Sequence, residues 1–170
     1  MEARSSITVN AEPPAVYAAW RDFERLPEFM LHLKSVAVTG ERNSHWAVAG
    51  PAGTTVEWEA EIVDDVPGER IAWRSVWGAS VENSGVVRFA PAPRHQGTEV
   101  RVELAYSPPG RALGAFVLKL FGEEPNQQIG DDLRRFKQIL EAGEIARSEA
   151  IPEPAPLEVP EPSPMDEVLA

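Results

Sequence analysis

The chain has no cysteine. Disulfides, thiolate nucleophiles and zinc–cysteine sites are therefore excluded, and a reducing, cytoplasmic setting is expected. Long apolar runs are missing too. The longest, Ala112–Phe121, contains Lys119 and is about half the length that spans a bilayer. The first ten residues, MEARSSITVN, lack the apolar centre of a secretory leader and read as a strand. Histidine is scarce: His32, His45 and His95 stand apart, with no HxH or HExxH spacing to hold a metal. No GxSxG nucleophile elbow occurs either, so no metal, cofactor or catalytic constellation is expected. Basic charge is in short supply, 16 Lys and Arg against 27 Asp and Glu for a net −11 at pH 7, with no basic cluster. That balance repels a phosphate backbone, and no nucleic-acid partner is expected.

What the sequence has in abundance is alternation. Ser5–Asn10 reads as a strand, and Pro13-Pro14 opens a helix through VYAAWRDF with Val16, Ala19, Trp20 and Phe23 on one side. Glu24–Met30, which holds Pro27, reads as a second short helix or turn. Strands follow at Lys34–Thr39, Ser44–Ala49, Thr54–Val66, Glu69–Trp77, Ser84–Ala90 and Thr98–Tyr106, separated by Gly-, Pro- and Asn-rich turns. In the third of these six, Val56, Trp58, Ala60 and Ile62 alternate with Glu57, Glu59 and Glu61, one face dry and the other acidic. On the return strand Ile71, Trp73, Ser75 and Trp77 share the inward phase. Arg70 and Arg74 then fall outward, opposite the glutamates, where each pair contributes about 0.2–1 kcal/mol. That arrangement makes the glutamate row a solvated, salt-bridged face, not general acid–base machinery.

Pro125–Glu141 is the element the strands are built around. Ile129, Leu133, Phe136 and Leu140 form one stripe, while Asp131, Asp132, Arg134, Arg135, Lys137 and Gln138 take the other face, with Asp131 and Arg135 as an i,i+4 ion pair. Ala112–Phe121 reads as a short apolar helix before it. From Ser148 the character changes: Glu149, Glu153, Glu158, Glu161, Asp166 and Glu167 have no Lys or Arg among them, and prolines alternate with acids after Ile151. The division expected is a domain over residues 1–147 and an acidic, disordered tail over 148–170, whose end, Met165–Ala170, is a candidate protein-binding motif.

One strand, two short helices, six antiparallel strands and a long final helix make an α+β chain whose order resembles the helix-grip fold of the START/Bet v 1-like (SRPBCC) superfamily. Within it, the chain is similar to the polyketide cyclase/dehydrase and lipid-transport family, which includes coenzyme Q-binding proteins. The resemblance is carried by SITVNAEPPAVYAAWRDFERLPEFM, HWAVAGPAGTTVEWEAEIVDDVPGERIAWRS, SGVVRF, GTEVRVEL and FGEEPNQQIGDDLRRFKQILEAGE, and spans roughly residues 3–145. It implies a curved sheet of about seven strands wrapped around the last helix, with a cavity between them for a lipid, quinone or polyketide-like molecule.

Candidate ligand-binding residues are the inward-phased Trp46, Val48, Val56, Trp58, Trp73, Ser75, Trp77, Val87, Phe89, Val102 and Tyr106, with Leu133 on the last helix. Phe116 and Leu120, with Phe29 and Met30, are candidates for the mouth. Four inward indoles are open to two readings, simple core filling or a cavity lined by flat rigid walls. On the second reading, truncating Trp58 or Trp73 weakens binding more than folding. Ser75 either orients a ligand oxygen or bonds to the backbone. The leading function is a carrier of a hydrophobic small molecule, with Ala112–Phe121 as lid or transient membrane contact. The alternatives are a polyketide aromatase/cyclase or dehydratase, and an interaction module acting through its acidic tail.

Overall fold

The computed structural model describes residues 2–50, 53–79, 81–107 and 125–149. The strand pattern resolves into β1 (Glu2–Val9), β2 (Leu33–Val38), β3 (Asn43–Ala49), β4 (Thr55–Val66), β5 (Arg70–Ser75), β6 (Glu82–Pro91) and β7 (Thr98–Ser107). Between β1 and β2 lie α1 (Pro13–Arg21) and a 3-10 helix (Phe23–Glu28), and α2 (Pro125–Glu149) ends the described chain. All seven strands form one antiparallel sheet in the order β1-β7-β6-β5-β4-β3-β2. Strands β2 to β7 are successive neighbours, and β1 pairs with β7 from Glu2–Ala105 to Val9–Thr98. This is the helix-grip architecture, a curled sheet closed by a terminal helix. The β6–β7 connection passes so close to β1 that Gly97 has no room for a side chain: its φ is +94° and a Cβ would lie 2.2 Å from the Val9 carbonyl oxygen.

Helix α2 runs alongside β1. The backbone N–H of Arg4 donates to Asn126 Oδ1 (2.8 Å), Lys137 Nζ donates to the Thr8 carbonyl (2.6 Å), and the backbone N–H of Asn10 donates to Glu141 Oε1 (2.9 Å). The lengths agree, since Asn126 to Glu141 rises about 22 Å as helix and Arg4 to Asn10 about 20 Å as strand. Ile129, Leu133 and Phe136 are buried as the stripe requires. Part of their partner is not sheet: Phe136 meets Trp20 at 5.3 Å, edge-on, and Phe29 at 4.9 Å. The helix also continues past Gly143 to Glu149, because one glycine costs only about 1 kcal/mol in a run of good helix formers. Residues 150–170, most of the expected tail, lie outside the described residues, as does Ala112–Phe121.

Two local departures from regular alternation position side chains. In β4, Ile62 pairs with Trp73 but Asp64 pairs with Ala72, so Val63 is an extra, bulged residue. A bulge inverts the phase beyond it. Asp65 therefore turns inward, where Tyr17 Oη (2.5 Å) and Arg21 Nε (3.0 Å) donate to its carboxylate and tie α1 to the sheet. Asp64 turns outward and takes Arg70 (2.5 Å), so Arg70 does not face the glutamate row as expected. Arg74 does, bonding Glu61 at 2.7 Å, while Glu57 and Glu59 share His45 on β3. On α2 the expected Asp131–Arg135 pair is replaced by i,i+3 pairs, Asp131 with Arg134 and Asp132 with Arg135.

The inward phase assigned to Trp77 is wrong. Strand β5 ends at Ser75, Gly78 has φ +85°, and Trp77 is 98% exposed at the turn. Replacing it with alanine is expected to change unfolding free energy by less than about 0.5 kcal/mol, measured by urea titration. The same substitution should remove most of the acrylamide-quenchable tryptophan emission.

Candidate functional site

The register gathers one end of every strand. With Ala60 opposite Ser75 and Val48 opposite Val56, the start of β4 extends beyond the end of β5, beside the end of β3. Leu33 opposite Val48 brings the start of β2 there, and Asn83 opposite Tyr106 brings the start of β6 and the end of β7. Asn126 against Arg4 adds the start of α2. Residues far apart in sequence (His32, Trp58, Asn83, Tyr106 and Asp132) therefore meet at one end of the space between sheet and helix.

That space contains a cavity of about 40 Å³, room for about three water-sized groups. Pockets for drug-sized ligands run to about 300–1,000 Å³, so most of this interior is filled by its own side chains. Trp46, Trp58 and Trp73 fill it as near-parallel plates: Trp46 lies 6.1 Å from Trp58 at 21° and 6.4 Å from Trp73 at 17°. Phe23 packs edge-on against Trp46 and Trp73, the offset and T-shaped geometries that aromatic quadrupoles favour. Gly85 makes the arrangement fit, since a Cβ there would come within 2.4 Å of the Trp73 ring and 2.6 Å of Leu104. A ring or an isoprenoid enters this core only by displacing side chains.

Polar groups are few and lie on the wall. The carboxyl of Asp132 is 4% exposed, with His32 Nδ1 3.8 Å from one oxygen and Arg135 donating to the other at 2.5 Å. Arg135 Nε donates as well to the Phe29 carbonyl (2.9 Å). Burial raises Asp132 to about 6 against the opposing pull of Arg135. Burial first, then the Arg135 charge, lowers His32 to about 4. The two are thus never charged together: Asp132 is neutral wherever His32 is protonated, and their contact is no ion pair. Burial, then the charge of Asp132, also pushes the Tyr106 phenol well above its ordinary value, so it stays protonated. Trp46 Nε1 donates to Ser44 Oγ (2.8 Å), but the buried Trp58 Nε1 finds no acceptor among the described residues.

Of the residues named from sequence, Trp46, Val48, Trp58, Trp73, Val102, Tyr106 and Leu133 line the cavity, as does Met30. Val87 and Phe89 are buried further along the core, and Val56 is partly buried against it; none of the three is on the cavity wall. Phe29 packs against Trp20 and Phe136 and is not on the wall of this cavity. Ser75 Oγ accepts the Asn83 backbone N–H (3.0 Å), the backbone alternative of the two foreseen. Trp77 is outside, and Phe116 and Leu120 lie outside the described residues. Sequence reasoning missed His32, Asn83 and Asp132. For Asp132 a signal existed: it stands three after Ile129 and four before Phe136, on the flank of the apolar stripe. His32, in a turn, had none. Among the described residues no three His, Asp or Glu side chains converge to hold a metal ion, and no helix is long and apolar enough to cross a membrane.

Known proteins share this fold. Among curated proteins, an uncharacterized 17.2 kDa protein from the melC2-rnhH intergenic region of Streptomyces lincolnensis is 29% identical over 143 residues, 82% of this chain and 89% of that protein. A crystal structure from Deinococcus radiodurans is 46% identical with a TM-score of 0.71, covering 84% of this chain and 98% of that one. A START superfamily protein from Mycobacterium smegmatis shares the fold at 14% identity, with a TM-score of 0.65 over 83% of this chain and 97% of that one. The family model for polyketide cyclase / dehydrase and lipid transport matches residues 9–134. The chain belongs to that family.

Proposed function

We propose that this protein binds a hydrophobic small molecule (a lipid, quinone or polyketide-like compound) between sheet and α2, and carries it in the cytoplasm. One observation supports this above the rest: the wall of a largely apolar interior holds the titratable groups of His32, Tyr106 and Asp132. Burying such groups is costly, and a core meant only to be filled gains nothing from them. Removing a ligand's apolar surface from water drives binding at about 25 cal/mol per Å², before the cost of displacing side chains and ordering the complex. Native mass spectrometry of the protein from its own host, with extraction of bound material, tests this. A stoichiometric lipid, quinone or polyketide is expected. Protein that carries nothing and takes up none of a panel of hydrophobic probes overturns it.

A second reading, a polyketide cyclase or dehydratase, is favoured by the same Asp132. A carboxyl that holds its proton up to about 6 is suited to general acid–base work near neutral pH. Turnover of a polyketide model substrate that Asp132→Asn abolishes, with binding retained, supports this reading over carriage alone.

A further inference from the structure

The polar end of the cavity discriminates among apolar ligands by the charge of their oxygen function. We propose that His32, Tyr106, Asp132 and the Trp58 N–H select a hydrophobic molecule bearing a neutral carbonyl and reject one bearing a carboxylate; this rests on the ligand-binding reading above.

Trp58 is nine-tenths buried on the cavity wall and its indole N–H has no acceptor among the described residues. An indole N–H can only donate, so a ligand acceptor delivered there recovers a hydrogen bond that folding leaves unmade. Tyr106, a protonated phenol, and His32, an imidazole held neutral, stand on the same wall. The register places Trp58 and Tyr106 toward one end of the sheet, and the His32–Asp132 contact lies on the same cavity wall, so a ligand's oxygen has a defined end to reach while its carbon skeleton meets the indoles.

Charge then decides the class. The cation beside this end is Arg135, which is not on the cavity wall and already bonds Asp132 and the Phe29 carbonyl. His32 supplies no positive charge at neutral pH. A carboxylate entering here would be desolvated beside the Asp132 carboxylate with no cation to offset it, a costly arrangement. A ketone brings the same acceptor geometry with no charge to desolvate.

Three naphthalenes of one size isolate the effect: 2-acetonaphthone, 2-naphthoate and 2-ethylnaphthalene, titrated calorimetrically into the full chain at neutral pH. The ketone is expected to bind about fivefold more tightly than the hydrocarbon, the yield of one added hydrogen bond, and at least about 30-fold more tightly than the carboxylate. In Trp58→Phe the ketone's advantage over the hydrocarbon should fall to about twofold or less. In Asp132→Asn the ketone–carboxylate gap should narrow about tenfold. Should either variant fail to fold, the wild-type ratios still decide. Equal affinity for all three overturns this proposal alone, and so does a carboxylate that binds as well as the ketone. No binding by any of the three, the hydrocarbon included, overturns the ligand-binding reading together with it.

Discussion

Trp73→Ala is expected to lower unfolding stability by about 3–5 kcal/mol, seen as a shift of the urea midpoint at unchanged m-value. Trp73 is 6% exposed, stacks on Trp46, takes the edge of Phe23 and rests in the notch left by Gly85. Sequence reasoning expected this truncation to harm binding more than folding. Packing predicts the opposite order, because with only about 40 Å³ free the ring is core material that nothing else replaces. Its removal also enlarges the cavity, and an enlarged dry cavity binds flat apolar guests. The folded fraction of the variant should therefore take up 2-ethylnaphthalene more strongly than the wild type does. A loss under about 1 kcal/mol, together with abolished uptake, would instead make Trp73 a wall the ligand needs and the core does not.

The second large effect depends on pH and on two groups that titrate in opposite senses. Folding raises Asp132 from 3.8 to about 6, so its contribution to stability is complete below about 3.8 and is lost as pH rises through 6. Folding lowers His32 from 6.5 to about 4, so its contribution is complete above 6.5 and is lost as pH falls through 4. Between about 6 and 4 the two slopes oppose each other, each approaching 1.4 kcal/mol per pH unit. Single substitutions separate them. On going from about pH 6.5 to 4.5, Asp132→Asn should lose on the order of 2 kcal/mol relative to wild type, and His32→Gln should gain a similar amount. Urea midpoints across a pH series measure both. Parallel curves for the three proteins would show that neither group titrates as its burial dictates.

Much of the architecture is local, and to that extent it was legible. Alternation along β4, where Val56, Trp58, Ala60 and Ile62 face one way, was readable because side chains in a strand alternate regardless of what covers them. The stripe Ile129–Leu133–Phe136 on α2 was readable for the corresponding helical reason. Turn pairs such as Pro67-Gly68 marked where strands reverse. From these came the element order, the single sheet and the family resemblance, which the family model and the START-like structures bear out.

The candidate site was legible only in part, and each miss has its own cause. Trp77 fits the alternation of β5, but a strand ends where its partner stops supplying hydrogen bonds, and after Ser75 the chain turns at Gly78. Val63 carries no mark of a bulge, yet the bulge moves Asp65 to the inner face and binds it to α1. Asp132 and His32 are 100 residues apart; their proximity and shifted proton affinities exist only because α2 docks beside the turn that precedes β2. Composition and periodicity by themselves determined which elements form and which faces are apolar, since those are properties of a few consecutive residues. Tertiary structure alone decided how full the interior is and where its polar end lies, because volume and desolvation depend on every side chain that shares the space.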